Sequence, residues 1–486
     1  MFLQARGALT SLILVLMLAG SVLAGTVLAG TGLADAQTAA ERRREAVEAA
    51  KIILQTHLFT DGRGMHIVPG IFNLYELVAK PEIPVDLVSP IHYKAGFNMI
   101  GRKAVGLFNV DIQKTRVGVL GCVGCHSGYA AGRLIVGCNN KNIDVGFVGR
   151  MAKSVQTPYL WTRPLRPQYE RDLIDDAMGF ATILSNPNWM NFTQGLVPVS
   201  NVWQWFYKQQ GMPPLEKPPR GAVKPAHLWG YGEKRKAGLF CDGFGDGTKA
   251  GWAAAVEITA GQHAETVHGY YPKLESLEHT FEKLLPPAYP FEVDGAKAKQ
   301  GEEVFVQTCS GCHGTYRRDA DGLPIFEKPN HIPLEVVGTD SDRLDTVTPE
   351  FKHLVEISPL NDILRHTELG RGYFAPRLDG IWARFGYLHN ASVPNVLSLL
   401  TAPEQRPRVW SLVDAGEEYR FDPTRLGLTT PARGTSGEAE LMKQAQKGAR
   451  DVYWTGRHGQ SNQGHNFGTA LSDADKAAII EYLKTL

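Results

Sequence analysis

Two C-x-x-C-H pentapeptides constrain this chain more than anything else in it: Cys122, Cys125 and His126 in LGCVGCHSG, and Cys309, Cys312 and His313 in CSGCHG. Two thiols one helical turn apart each add to one vinyl group of a haem, and the adjacent imidazole reaches the iron from the proximal side. A redox or zinc C-x-x-C followed by His by accident is the competing reading, but six Cys and 15 His in 486 residues rarely give two such matches by chance. The motifs therefore predict two covalently bound c-type haems, with His126 and His313 on the irons.

Covalent haem of this type is assembled outside the cytoplasm, and the amino terminus agrees with export. From Gly7 to Ala34 the chain holds no charge and is rich in Leu, Val and Ala; Ala34 and Ala36 form an A-x-A cleavage site before Gln37. We expect a signal peptide over residues 1–36 and a periplasmic or secreted protein. Cleavage after Ala24, or retention of the run as a membrane anchor, are the alternatives. No Cys follows the run, which argues against a lipid anchor. Lys and Arg total 51 against 50 Asp and Glu, so nothing in the bulk charge calls for nucleic acid. The body is 43% hydrophobic and 21% charged, a packed globule; its 51 Gly and 29 Pro point to long loops.

The fold class this predicts is mainly α: two cytochrome c-like haem domains with long loops and irregular insertions. Residues 37–290 would form an amino-terminal haem domain with an aromatic-rich middle segment, and residues 291–486 a carboxyl-terminal cytochrome c domain. Leu284–Gly295, with Pro286, Pro287 and Pro290, reads as the linker. Helical periodicity is seen over Ala39–Leu54 and Leu173–Leu184. The apolar run Val117–Leu120 is expected to lie against the first porphyrin. Gly301, Phe305 and the second motif fit the first helix of a class I cytochrome c. Ser472 as N-cap with Asp475 three residues on, then Ile479, Ile480 and Leu483, predicts the terminal helix that packs on it.

Sixth ligands decide what such irons do, because two strong protein ligands favour electron transfer and an open position favours binding of dioxygen or peroxide. For the second haem His465, in Gly464-His465-Asn466-Phe467-Gly468, is the candidate and His389 its rival; either is also readable as a structural loop histidine. No downstream His or Met offers itself for the first haem. Cys138 and Cys241 are readable as a disulfide or as two buried thiols. Arg377, Arg406 and Arg408 are candidates for haem propionates, with surface arginine the default.

The segment PRLDGIWARFGYLHNASVPNVLSLL (Pro376–Leu400), with GHNFG and the terminal helix, resembles the di-haem cytochromes related to bacterial cytochrome c peroxidase and, more closely, bacterial rubber oxygenase. The region LGCVGCHSGYAAGRLIVGCNNKNID is similar to the same type. The resemblance implies an active amino-terminal haem with His126 proximal and dioxygen distal, and a carboxyl-terminal relay haem held by His313 and His465. It also implies aromatic residues lining the active pocket, for which Trp229 and Phe244 are the match; aromatic residues such as Trp203, Trp205 and Phe206 have core packing as their default role. Departures are visible. The Gly-Arg-Asn-x-Pro-Thr-Leu type sequence of the peroxidase branch is missing from Gly149–Arg163, and Arg384, Phe385 and Gly386 stand where Thr, Ala and Pro are common.

Three functions compete: oxidative cleavage of an apolar alkene-type small molecule or polymer by dioxygen, electron transfer to a redox partner protein without catalysis, and peroxide reduction. The first leads on resemblance. The peroxidase reading is weakened by the missing peroxidase sequence.

Overall fold

The computed structural model describes residues 32–55, 66–69, 95–100, 103–112, 115–185, 192–197, 207, 211–213, 220–230, 245, 264–320, 322, 325, 330–364, 370–384, 386–412 and 421–486. Of the expected features, most of the signal peptide, Cys241, Phe244, Trp203, Trp205 and Phe206 lie outside these residues.

The first described helix, α1 (Gly32–Gln55), buries Ala49 and Ile53 and leaves Glu48 and Lys51 to pair one turn apart at its surface. Three antiparallel strands follow: β1 (His66–Pro69), β2 (Leu107–Ile112) and β3 (Thr115–Leu120), with β3 in the middle. The apolar run Val117–Leu120 is thus strand, paired on both sides. It delivers the chain into a single 3-10 turn at Cys122–Gly124, after which β4 (Ser127–Ala130) and β5 (Arg133–Val136) form a hairpin. Gly106, at φ +85°, passes so close beneath this turn that a Cβ would sit 2.2 Å from the Gly124 nitrogen; only glycine fits there.

Two antiparallel helices come next, α2 (Val145–Thr162) and α3 (Gln168–Ser185). Asp144 caps α2 by accepting from the Phe147 N–H at 2.8 Å, and Arg163 clasps Asp175 across the hairpin. After α4 (Ala264–Glu282) the expected linker is packed rather than free: Leu284 is buried, Pro287 O accepts from Trp382 Nε1 at 2.8 Å, and Tyr289 meets Trp382 edge-on.

The carboxyl-terminal half is organised by two helices far apart in sequence, α5 (Gly295–Thr308) and α8 (Asp473–Lys484), with α6 (Pro349–Glu356) and α7 (Ser436–Gln446) between them. Ser472 caps α8, its Oγ accepting from Asp475 N at 3.1 Å. At the crossing Gly301 lies against the Ala478 backbone, and Phe305 packs on Tyr482 with ring centres 5.3 Å apart. A Cβ at 301 would fall 1.9 Å from the Ala478 oxygen. Gly301→Ala is expected to force the helices apart and to lower stability by about 2 to 3 kcal/mol in urea unfolding, the upper part of the usual overpacking range.

One apolar core runs through both halves, from Ile53 and Val123 through Trp229 and Phe281 to Phe305, Trp382 and Ile479. Polar contacts join the halves as well. Arg450 grips Asp144 with Nε and Nη2, both at 2.8 Å, and Gln460 exchanges hydrogen bonds with Thr193.

Candidate haem centres

In the second motif, α5 ends at Thr308 and a short helix, Ser310–His313, carries the candidate histidine; Gly314, at φ +76°, then turns the chain away. His313 N donates to Cys309 O at 3.0 Å, which sets the imidazole beside the two sulfurs. Its Nδ1 lies 2.9 Å from Pro376 O. A carbonyl can only accept, so Nδ1 carries the ring hydrogen and Nε2 keeps its lone pair, the tautomer an iron requires.

The ring facing His313 is that of His465, with centres 6.3 Å apart. Two imidazoles sharing one metal through nitrogens at about 2.0 Å each would have ring centres roughly 6 to 6.5 Å apart. The His465 ring is buried, its Nδ1 has no hydrogen-bond partner, and burial holds its basicity down to a pKa of about 4, leaving it neutral at pH 7. An imidazole with a buried nitrogen the protein leaves unsatisfied suits a metal. His389 instead stacks on Tyr373, centres 4.9 Å apart and planes 15° apart; it too is buried with an unpartnered nitrogen, Nε2.

The loop holding His465 is strained and braced. His465 has φ +49°, in the region side chains disfavour, and Gly464 before it leaves no room for a Cβ against Gly338. The brace is Arg406, 1% exposed. Its guanidinium donates to six carbonyls: Ser398 and Thr401 from Nε, Asn462 and Gly464 from Nη1, and Leu399 and His465 from Nη2. His465 N completes the loop by donating to Val337 O at 2.6 Å. Arg406 is thereby committed to main chain, Arg408 pairs with Glu438, and Arg377 pairs with Asp379 over the face of Tyr316.

The first motif repeats one part of this design. His126 N donates to Cys122 O at 2.9 Å, and Nδ1 lies 2.7 Å from Ala226 O, so the same tautomer is enforced by a carbonyl 100 residues away. Asn140 braces the turn from behind, donating to Gly124 O and Gly96 O. Trp229 is buried between the two motif regions, with Nε1 on Asp379 O at 2.9 Å and its ring against Gly137 and Gly380. The Cys138 thiol is buried over the carbonyls of Gly128, Ile135 and Asn139.

Burial pushes the thiols of Cys125 and Cys309 up to about 11. Such surroundings oppose a free thiolate at neutral pH. Sequence reasoning missed the two carbonyl acceptors, the Arg406 brace and Lys224. The Lys224 Nζ donates to Arg384 O and Gly386 O, and desolvation followed by repulsion from Arg384 lowers it to a pKa of about 7. A lysine depressed in the folded state binds more protons when unfolded between pH 7 and its ordinary value, so its contribution to stability rises with pH across that window and is lowest below it. Lys224→Met is expected to remove up to one proton's worth of that slope, about 1.4 kcal/mol per pH unit at most, in urea titrations at pH 7 to 10.

Residues 372–411, the stretch that supplies the His313 anchor, Arg377, Asp379, His389 and the Arg406 brace, match the RoxA-like, cytochrome c-like family. That match supports a cytochrome c-like, haem-binding domain of the RoxA-like type, and such a domain implies haem c. The chain is similar to two uncharacterized proteins of Sinorhizobium fredii (strain NBRC 101917 / NGR234). One, y4iM, is 30% identical over 237 residues, 42% of this chain and 51% of that protein. The other, y4iJ, is 27% identical over 281 residues, 44% of this chain and 43% of that protein. The chain thus spans about half the length of the curated relatives it matches. Among the described residues no helix is long and apolar enough to cross a membrane.

Proposed function

We propose that the protein is an exported di-haem c-type cytochrome with two dissimilar centres. In this reading Cys122, Cys125 and His126 hold an amino-terminal haem at which dioxygen is the co-substrate for oxidative cleavage of an apolar alkene-type molecule. Cys309, Cys312 and His313 hold a second haem that relays electrons. The observation that carries the reading is the pairing of His313 with His465 at a ring separation suited to one shared iron. The resemblance to rubber oxygenase supports the catalytic half.

When bound, haem iron supplies ligand exchange and one-electron chemistry. The chain's own part is narrower. The carbonyls of Ala226 and Pro376 fix which nitrogen of each motif histidine is basic, His465 would be the second protein ligand beside His313, and Trp229 is buried against Asp379 O between the segments that carry those carbonyls.

The test is a haem count with carbon monoxide binding to the reduced protein. We expect two haems per chain, one of which takes the gas; His465→Ala is expected to open the second, doubling the gas bound. If the wild-type protein holds two low-spin haems and neither takes the gas, it is an electron carrier for a redox partner protein and the oxygenase reading fails. Turnover of peroxide with a small cytochrome as donor, without turnover of alkenes, would establish the peroxidase instead.

A further inference from the structure

Residues 224–229 lie against residues 376–384 and 386, and each segment carries the carbonyl that holds one motif histidine: Ala226 O for His126 and Pro376 O for His313. The residues next in sequence to these carbonyls are joined by one side chain. Arg384 Nη1 lies 2.9 Å from Nε2 and 3.1 Å from Nδ1 of His227, and its Nη2 donates to Arg377 O at 2.6 Å. Arg384 is 4% exposed and its Nε is buried with no acceptor, so the guanidinium is positioned by these two contacts. Lys224 and Trp229 lock the same two segments together, through Gly386 O and Asp379 O.

We infer that Arg384 is a positioning residue that couples the two haem centres, by tying the carbonyl that orients His126 to the carbonyl that orients His313. The hydrogen bond at the outer nitrogen of a metal-bound histidine sets its orientation and basicity. A change of ligand or charge at one centre shifts its histidine against its carbonyl. Arg384 carries that shift one residue along, across, and one residue back to the other carbonyl. Arg384 also stands at a position where the resembled cytochromes commonly have Thr, so the link belongs to this chain.

The inference rests on the di-haem reading, and the experiment separates the two. The full-length holo-protein is titrated by spectroelectrochemistry for the midpoint potential of the centre held by His313, with and without cyanide on the amino-terminal centre. Coupling is read as the fold-change in the reduction equilibrium that cyanide causes. We expect about fivefold or more in the wild-type protein, within the usual range of site-to-site coupling, falling below about twofold in Arg384→Gln. His227→Gln, at a half-buried ring, is expected to do the same and serves if Arg384→Gln does not fold. Arg384→Lys, which keeps the charge but not the planar fork, is also expected to lose the coupling. Electron paramagnetic resonance of the His313 centre should be unchanged in all three. Coupling retained in both Gln variants, or absent in a wild-type protein with two haems, overturns the link alone. A haem count of one per chain removes the di-haem reading and the link together.

Discussion

Replacing Arg406 by Met is expected to cost about 4 kcal/mol or more, at the extreme of what single substitutions do, because six main-chain carbonyls lose their donor in a place water reaches poorly. The loss falls on one loop. Three of the six carbonyls belong to residues 462, 464 and 465, and His465 sits at a positive φ that persists only where its surroundings over-determine it. Freed of the brace, the backbone should relax toward ordinary conformations and carry the imidazole off the axis it shares with His313. Two measurements check this: the urea midpoint falls steeply, and the reduced protein takes carbon monoxide at a second haem as the His465→Ala protein does. Arg406→Lys should fare little better, since an ammonium has three donors and no plane. A variant with normal stability and an unaltered low-spin spectrum would show that the loop holds itself.

Breaking the Asp144–Arg450 pair should be nearly as costly. The Asp144 side chain is 4% exposed and that of Arg450 is 17% exposed, so Arg450→Ala leaves a buried carboxylate without its cation, a loss of about 3 to 5 kcal/mol. Asp144 is also the N-cap of α2, so Asp144→Ala adds the loss of the cap, about 1 kcal/mol more. Asp144→Asn with Arg450→Met should recover most of the loss, because amide and thioether bury more cheaply than a lone charge. A double-mutant cycle in urea reads this directly; additivity of the two single changes would show that the contact contributes nothing.

The parts of the site legible in the sequence are those where side-chain identity is the signal. The C-x-x-C-H spacing named the candidate attachment residues, and Ser472 with Asp475 marked the start of α8 to the residue. Main-chain acceptors leave no such mark. Every residue has a carbonyl, so nothing about Ala226 or Pro376 distinguishes them until the fold brings them to His126 and His313. Arginines carry the opposite problem. Arg377, Arg406 and Arg408 looked equivalent as carboxylate partners, yet one pairs with Asp379, one is enclosed by carbonyls and one meets Glu438. Arg384 was visible as a departure from a familiar pattern, with no indication of its role. Sequence put His465 ahead of His389 on its Gly-flanked loop, but stacking on Tyr373 and facing His313 are relations in space. The segment Leu284–Gly295 read as a linker because prolines punctuate it, but Gly380 packs on Pro286 and Pro287, and Trp382 donates to the Pro287 carbonyl.

The crossing of α5 and α8 also has a meaning in time. The second motif begins at the last turn of α5, but the helix that locks α5 in place lies roughly 160 residues further along the chain. Until that helix docks, Cys309 and Cys312 hang from a helix with no partner, open to whatever chemistry reaches them, and the arrival of Ile479 and Tyr482 closes the opportunity.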